Sequence, residues 1–404
     1  MNSARIVVVG GGHAAAQLCS ALVEGDAAQQ LLLVAEEGIA PYQRPPLSKS
    51  FLKSAQEAVQ LHRDVGWFEQ HGVELLLGRK AVAIDRGRRE LELDDGQRVA
   101  YEQLVLATGA RARVFAPFDR PLENVHSLRG AVDASRLRTS LLTDARGSLS
   151  VLGGGFIGLE VAATARALGW HVQVFEAASR LLSRSVSPTM ARHVLEQHLA
   201  QGTEVMLESP ADGFEVEGRR LQALRMRGRR VDVDQLLLGV GSVASIELAQ
   251  RAGLKVDQGI VVDASQRSSD ASILAIGDCA SFPMGDRYVR LESVQNANAQ
   301  ARVAAAVLMG QVARYRPLPW FWSDQGGMRL QMAGLWREGL TAHERRGATP
   351  HSFSLFHYEG ERLRCVESVN APSDHLAARK WLEQEVSPDP GRVRDPSVAL
   401  KTLL

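Results

Sequence analysis

The chain has 404 residues, 45% of them hydrophobic and 23% charged, with a formal net charge of +1. That length suits two or three domains with sizeable cores, and the near-neutral balance excludes bulk attraction to nucleic acid or to a membrane surface. The longest apolar stretches, 6–9 and 304–309, fall far short of a bilayer span, and the chain enters a core strand almost at once with no charged and apolar leader, so a cytoplasmic protein is expected.

In chain order, RIVVVGGGHAAAQL from Arg5 reads as strand, glycine turn and helix, followed by the strand LLLVAEE with Glu36 at its acidic end. The loop APYQRPPLSKSFL follows; its adjacent prolines resist helix and strand, so a rigid irregular turn is expected. VELLLG, KAVAID, ELELDD and YEQLVLATG read as short β segments of a small antiparallel layer inserted in a larger α/β domain. A connector with Pro117 and Pro121 leads to SLSVLGGGFIGLEVAA from Ser148 and VQVFEA with Glu176, a second copy of the opening plan. That copy carries its own β-rich piece from about Glu204 to Leu238, after which Gly239 to Gly241 return the chain to the first domain. ILAIGDCA, from Ile273, reads as a buried strand stopping at an acidic turn, and SVQNANAQARVAAAVLMG as a helix. From about Pro317 the segments PWFWSDQ, RLQMAGLW, SFSLFHYEG and RCVESVN suggest strands of a third domain, closed by a helix near Ala377 to Gln384 and an irregular tail.

The two glycine patterns imply two dinucleotides. In a βαβ unit the first glycine permits the tight turn, the second lets backbone approach a pyrophosphate, and the third lets helix pack close on strand. The helix N-terminus then offers free N–H groups and the positive end of its dipole to the phosphates. Gly153, Gly155 and Gly158 fit the pattern fully, while Gly10 and Gly12 are followed by Ala15 in the third place. Glu36 and Glu176 fall roughly 20 residues further on, where a carboxylate accepts hydrogen bonds from ribose hydroxyls. The Glu176 charge is expected to repel a 2′-phosphate on the dinucleotide bound there, although Arg180 and Arg184 follow closely and leave a phosphorylated ribose open. His13 is expected to offer backbone to phosphate with its ring packed nearby. Cys19, Cys279 and Cys365 are isolated, so the chain supplies neither a dithiol nor a cysteine set for an iron-sulfur cluster, and no metal site is expected. The arginine runs at 86–89 and 225–230 are either solvated hairpins or docking ground for an acidic partner.

Six motifs, PYQRPPLSK, LATGA, GGGFIGLE, GDCAS, RLESVQNANAQAR and PWFWSDQ, together resemble the FAD-dependent, NADH-using ferredoxin reductases that serve bacterial oxygenases, over nearly the whole chain. The resemblance implies an α/β, glutathione-reductase-like fold of two Rossmann-like domains plus a small α+β C-terminal domain. It implies FAD on 1–112 and 241–317, NADH on 113–240 and a C-terminal domain over 318–404. For FAD it points to Gly10, Gly12, His13, Ala14, Ala15, Glu36, Arg44, Lys49, Val82, Ala107, Thr108, Gly109, Arg129, Gly277, Asp278, Ser293, Val294 and Trp320. For NADH it points to Gly153, Gly155, Phe156, Ile157, Gly158, Glu160, Glu176, Arg184, Val240 and Gly241. Lys49 and Glu160 are the expected catalytic pair, with the Lys49 ammonium near the flavin and nicotinamide, and Glu160 set in the first turn of the NADH helix. Asp278 suits a ribityl hydroxyl, or a helix N-cap. The segment GVGSVASIEL, from Gly239, departs from the family by lacking its asparagine-containing turn.

The implied activity passes electrons from NADH through FAD, singly, to a separate acidic [2Fe-2S] ferredoxin that feeds a cytochrome P450 or a ring-hydroxylating dioxygenase. A monomer or weak dimer is expected, without nucleic-acid or membrane partners. The same first half-reaction also suits delivery to rubredoxin, quinone, monodehydroascorbate or oxygen, or an NADH-responsive signalling flavoprotein similar to apoptosis-inducing factor.

Overall fold

We describe a computed structural model of the chain, which covers residues 3–28, 30–113, 121–143, 147–316 and 318–403. The expected connector position Pro117 and the boundary at Pro317 lie outside these residues. The chain divides into two compact units: Met1–Arg44, Val59–Arg111 and Ser242–Pro317 make the first, and Pro45–Ala58, Ala112–Gly241 and Leu318–Leu404 the second.

In the first unit the parallel strands run in the order Val73–Leu77, Leu31–Ala35, Ser3–Val9, Arg98–Leu106 and Ile273–Ala275. Val7 and Val9 join one buried cluster with Leu104 and Ile273, and Ile6 and Val8 join another with Leu18 and Ala301. Burial on both faces is why these strands read as unbroken apolar runs rather than as alternation. Helices His13–Glu24 and Val294–Leu308 supply the second cluster, in which Cys19 is fully buried. VELLLG departs from its expected place: it pairs parallel to Leu31–Ala35 and extends the main sheet. Leu75 and Leu77 pack on that second cluster and Leu76 on the first, so burial on both faces goes with the parallel partner. The antiparallel layer is instead Ala81–Asp85, Glu90–Leu93 and the opening of Arg98–Leu106, a strand whose later residues continue into the parallel sheet.

In the second unit the parallel order is Glu204–Met206, His171–Phe175, Ser148–Leu152, Gln235–Leu238 and Val125–His126. Helix Phe156–Ala167 follows the Ser148–Leu152 strand, and strands Ala211–Glu217, Arg220–Met226 and Arg229–Asp232 form the antiparallel layer. The C-terminal sheet is antiparallel, ordered Trp320–Gln325, Met328–Gly334, Arg362–Val369, Phe353–Glu359, Thr341–Arg346. Buried Glu367 fastens that sheet to helix Pro188–Ala200: its carboxylate accepts from the Ser187 N–H at 2.7 Å and meets His357 Nε2 at 2.8 Å.

Three local expectations are corrected. The double-proline loop is helical, as a 3-10 turn over Pro45–Ser48 and a turn of helix over Ser50–Lys53, because proline at the start of a helical turn forfeits no internal hydrogen bond. The closing helix is Pro372–Glu383 and opens, again, on proline. The tail is ordered: Asp389 caps helix Pro390–Arg394, and the buried Arg345 guanidinium donates to the carbonyls of Val393 at 3.0 Å, Asp395 at 2.6 Å and Val398 at 3.0 Å.

Candidate functional site

The two glycine turns are built alike, each in its own unit. Gly10 donates to the Val34 carbonyl at 2.8 Å and Gly153 to the Phe175 carbonyl at 2.8 Å, so each turn is tied to the strand that ends at its acid. Both residues have positive φ, +127° and +104°, and a Cβ there would stand 2.2 Å from the Ala107 carbonyl oxygen and 2.4 Å from that of Gly239. No side chain fits either place. The next position is the opposite case: a Cβ on Gly12 meets nothing within 4 Å, and on Gly155 only the Gly239 oxygen at 4.0 Å. Gly12 and Gly155 cap their helices without a side-chain hydrogen bond, so the first-turn N–H groups face that open space. An open cradle lined by unclaimed backbone donors fits a dinucleotide pyrophosphate. His13, Ala14 and Ala15 begin the first helix, Phe156, Ile157 and Gly158 the second, with Ile157 46% exposed.

The acids differ. Glu36 is exposed and paired with Lys80 at 2.9 Å. Glu176 turns back on its own glycine turn and accepts from the N–H groups of Gly154 and Ala178, both at 2.7 Å. Of the two arginines that follow, Arg180 is spent on the carbonyls of Ser183 and Val186, both at 2.7 Å, while Arg184 is exposed.

Around the first turn, Gly277 lies against Ala14, where an added Cβ would come within 3.1 Å. Ala107, Thr108 and Gly109 follow strand Arg98–Leu106, and Thr108 Oγ1 donates to the Ser245 carbonyl at 2.7 Å. Asp278 sits inside the 3-10 turn Gly277–Cys279, not at its N-cap, which is Ile276. Ser293 caps the helix that begins at Val294, and Val82 lies on strand Ala81–Asp85. Arg44 is held by Glu37 at 2.6 Å and stacks on Tyr42 at 5.1 Å. Three residues of the expected FAD set, Lys49, Arg129 and Trp320, lie in the second unit. Arg129 precedes helix Ala131–Thr143, its N–H capped by Asp133 at 3.0 Å; the Trp320 ring carries the Arg379 guanidinium at 4.1 Å. Val240 and Gly241 follow Gly239 at the end of the second sheet.

Lys49 and Glu160 meet inside the second unit, Nζ to Oε2 at 2.6 Å, with Glu160 only 4% exposed. Glu160 is the fifth residue of its helix and not in the first turn, so the helix dipole does not account for it. Direct donors do: the Ser48 hydroxyl reaches Oε2 at 2.5 Å and the Ser323 hydroxyl reaches Oε1 at 2.6 Å. One helical turn along, Thr164 donates to the Ser48 carbonyl at 2.9 Å, so the Pro45–Ser48 turn is gripped twice by one helix face. Motif reading missed Ser48, Thr164, Ser323 and Gln325. The spacing of Ser323 and Gln325, two apart on a strand and so on one face, is the signal that finds them.

The cysteines are buried and apart: burial pushes the Cys19 thiol up to about 12 and raises those of Cys279 and Cys365. Part of each arginine run is ion-paired. Arg86 pairs with Asp270 at 2.7 Å, and Arg225 and Arg230 share Glu215 at 2.8 and 2.9 Å. No helix among the described residues is long and apolar enough to cross a membrane.

Residues 4–301 match the model of the family described as pyridine nucleotide-disulphide oxidoreductase, and residues 320–404 match the reductase C-terminal model. The chain is 41% identical to rhodocoxin reductase of Rhodococcus erythropolis, over 98% of this chain and 93% of that one. It is 38% identical to the ferredoxin–NAD(+) reductase component of the anthranilate 1,2-dioxygenase system of Burkholderia cepacia, over 100% of both. The structure of putidaredoxin reductase in its covalent complex with putidaredoxin superposes with a TM-score of 0.93 at 35% identity, covering 99% of this chain and 97% of that one. The paired glycine turns, the Lys49–Glu160 cluster and these likenesses agree: the chain belongs to the pyridine nucleotide-disulphide oxidoreductase family, among the members that carry a reductase C-terminal domain.

Proposed function

We propose that this protein is an NADH:ferredoxin oxidoreductase, a flavoprotein that draws electrons from NADH and delivers them one at a time to a separate [2Fe-2S] ferredoxin of a cytochrome P450 or ring-hydroxylating dioxygenase system. One observation carries the reading: two pyrophosphate-shaped glycine turns stand in one chain whose cysteines are solitary and buried, so electrons have no dithiol to rest on and leave to an external carrier. Bound FAD supplies the redox chemistry, taking an electron pair from NADH and releasing electrons singly.

The residues do the holding. Backbone N–H groups after Gly12 take the FAD pyrophosphate and those after Gly155 that of NADH, and Glu36 and Glu176 accept from the riboses. This assigns FAD to 1–112 and 241–317, NADH to 113–240, and to 318–404 the strand that brings Ser323 to Glu160. Lys49, anchored by Glu160, would present a fixed positive charge to the bound nicotinamide. We assign the protein to the cytoplasm as a monomer or weak dimer. The test is NADH-dependent reduction of cytochrome c by the purified holoprotein, with and without a [2Fe-2S] ferredoxin, with NADPH in parallel. Large ferredoxin-dependent stimulation with NADH is expected. Rapid flavin bleaching by NADH without it moves the acceptor to a rubredoxin, a protein reduced by relatives 36% and 37% identical to this chain that are named rubredoxin–NAD(+) reductases.

A further inference from the structure

The Glu160 carboxylate is the end of a longer chain of buried groups. Ser323, which donates to Glu160 Oε1, itself accepts from Gln325 Nε2 at 3.0 Å, and Gln325 Oε1 lies 2.9 Å from His198 Nε2. Ser323 is 0% exposed, and Gln325 and His198 are each 1% exposed. Only one set of directions satisfies every link. A carboxylate accepts, so the Ser323 hydroxyl donates to it and is left with lone pairs; the Gln325 amide nitrogen donates to those; and its oxygen then faces His198, which must donate from Nε2. Burial holds His198 below its ordinary value, consistent with a neutral ring whose single proton sits on Nε2 and whose buried Nδ1 has no hydrogen-bond partner among the described residues.

Strand alternation builds the chain. Phe321, Ser323 and Gln325 share one face of Trp320–Gln325. Phe321 stacks on Phe156 at 4.6 Å, Ser323 reaches Glu160 on that same helix, and Gln325 reaches His198 on helix Pro188–Ala200. Every donor points the same way, toward the one anion, and in a buried setting each bond polarises the next.

We propose that Ser323, Gln325 and His198 are positioning residues: a one-directional hydrogen-bond chain that pins the Glu160 carboxylate and, through it, fixes where the Lys49 ammonium stands. The C-terminal sheet thereby takes part in the NADH half of the reaction. This rests on the reading of Lys49 and Glu160 as the groups that meet the nicotinamide.

The test uses the holoprotein with Ser323→Ala and the conservative Ser323→Thr. In anaerobic stopped flow, Ser323→Ala slows flavin reduction by saturating NADH by about tenfold, the scale of one lost hydrogen bond to a charged group. Calorimetry finds the NAD+ dissociation constant within about twofold, because the pyrophosphate and ribose contacts are untouched. Ser323→Thr, which keeps the hydroxyl, restores most of the rate. Histidine-selective nitrogen NMR of the unsubstituted holoprotein finds His198 protonated on Nε2 and bare on Nδ1, a readout that needs no turnover and stands even if Ser323→Ala fails to fold. An unchanged rate in Ser323→Ala, a loss that threonine does not repair, or the opposite His198 tautomer overturns the proposal while NADH still bleaches the unsubstituted protein. If NADH fails to bleach that protein, the underlying reading fails instead, whatever the tautomer.

Discussion

The first and second glycine turns share their strand, their positive-φ glycine and their open cradle, yet they hold their acids in opposite ways. Glu36 stands in solvent against Lys80, whereas Glu176 is fixed by two backbone N–H groups. A carboxylate already fixed pays no ordering cost each time a ligand arrives, which suits a cofactor that comes and goes with every turnover. A loose one suits a cofactor that binds once and stays. The third motif position differs too. A Cβ on Gly158 would stand 2.4 Å from the Gly153 carbonyl oxygen, while the first turn accommodates Ala15 with full burial. The second helix therefore sits tighter on its turn than the first. One motif thus holds its acid in two ways, set by what surrounds it.

The sharpest way to break the comparison is to destroy each turn separately. Gly10→Ala is expected to yield colourless protein, because the φ strain of order 1–3 kcal/mol adds to a backbone clash at the FAD cradle. Gly153→Ala is expected to stay yellow and lose NADH binding; visible absorbance and an NADH titration separate the two, and loss of flavin from the second variant would reverse the assignment. Next in size, Gly158→Ala is expected to destabilise by ~1–3 kcal/mol through overpacking, read as a lowered unfolding midpoint in urea, while Ala15→Gly moves it by less than ~1 kcal/mol.

Glu176→Ala is expected to weaken NADH by about tenfold and to narrow the preference over NADPH, with exposed Arg184 then free to meet the 2′-phosphate. Glu36→Ala changes flavin retention by less than about threefold, since its carboxylate begins in solvent. Fluorescence titration with both nucleotides measures the first, and flavin release on dilution the second; equal effects would erase the distinction.

The smallest effect near neutrality comes from pH. Burial holds His126, His193, His198 and His375 of the second unit below their ordinary value of 6.5, His375 at about 4, and in His343 burial acts with Arg394 in the same direction. Below 6.5 the unfolded chain binds more protons than the folded one, so stability falls as pH drops toward about 4, by at most ~1.4 kcal/mol per pH unit for each titrating group and less for the more exposed His193 and His343. In the first unit His62 shares this shift. Hydrogen exchange at pH 5 against pH 7 is expected to rise first in 121–241 and 318–403; earlier opening of the first unit would contradict this.

Much of this was legible in the residues. The two glycine patterns with their acids located both turns, since a positive-φ turn and a close backbone approach demand glycine wherever they occur. PPLSK and GFIGLE contain Lys49 and Glu160, but their meeting is a contact between segments over a hundred residues apart, and Glu160 owes its place to Ser48 and Ser323 rather than to the helix end. VELLLG was misplaced because an apolar run of that length states burial without naming its partner strand. The edge strand Thr341–Arg346 passed unread because TAHERR carries little apolar pattern, and its Arg345 acts through carbonyls of the distant tail.

By itself the sequence determined the number of dinucleotide turns, their order, the acids that end them and the lack of a redox cysteine pair, all consequences of local stereochemistry and residue identity. Only the tertiary structure decided which strands pair in parallel, how firmly each acid is held and which hydroxyls surround Glu160. Those depend on groups far apart in the chain reaching hydrogen-bond distance, and burial, which makes such bonds obligatory, is a property of the fold rather than of any segment.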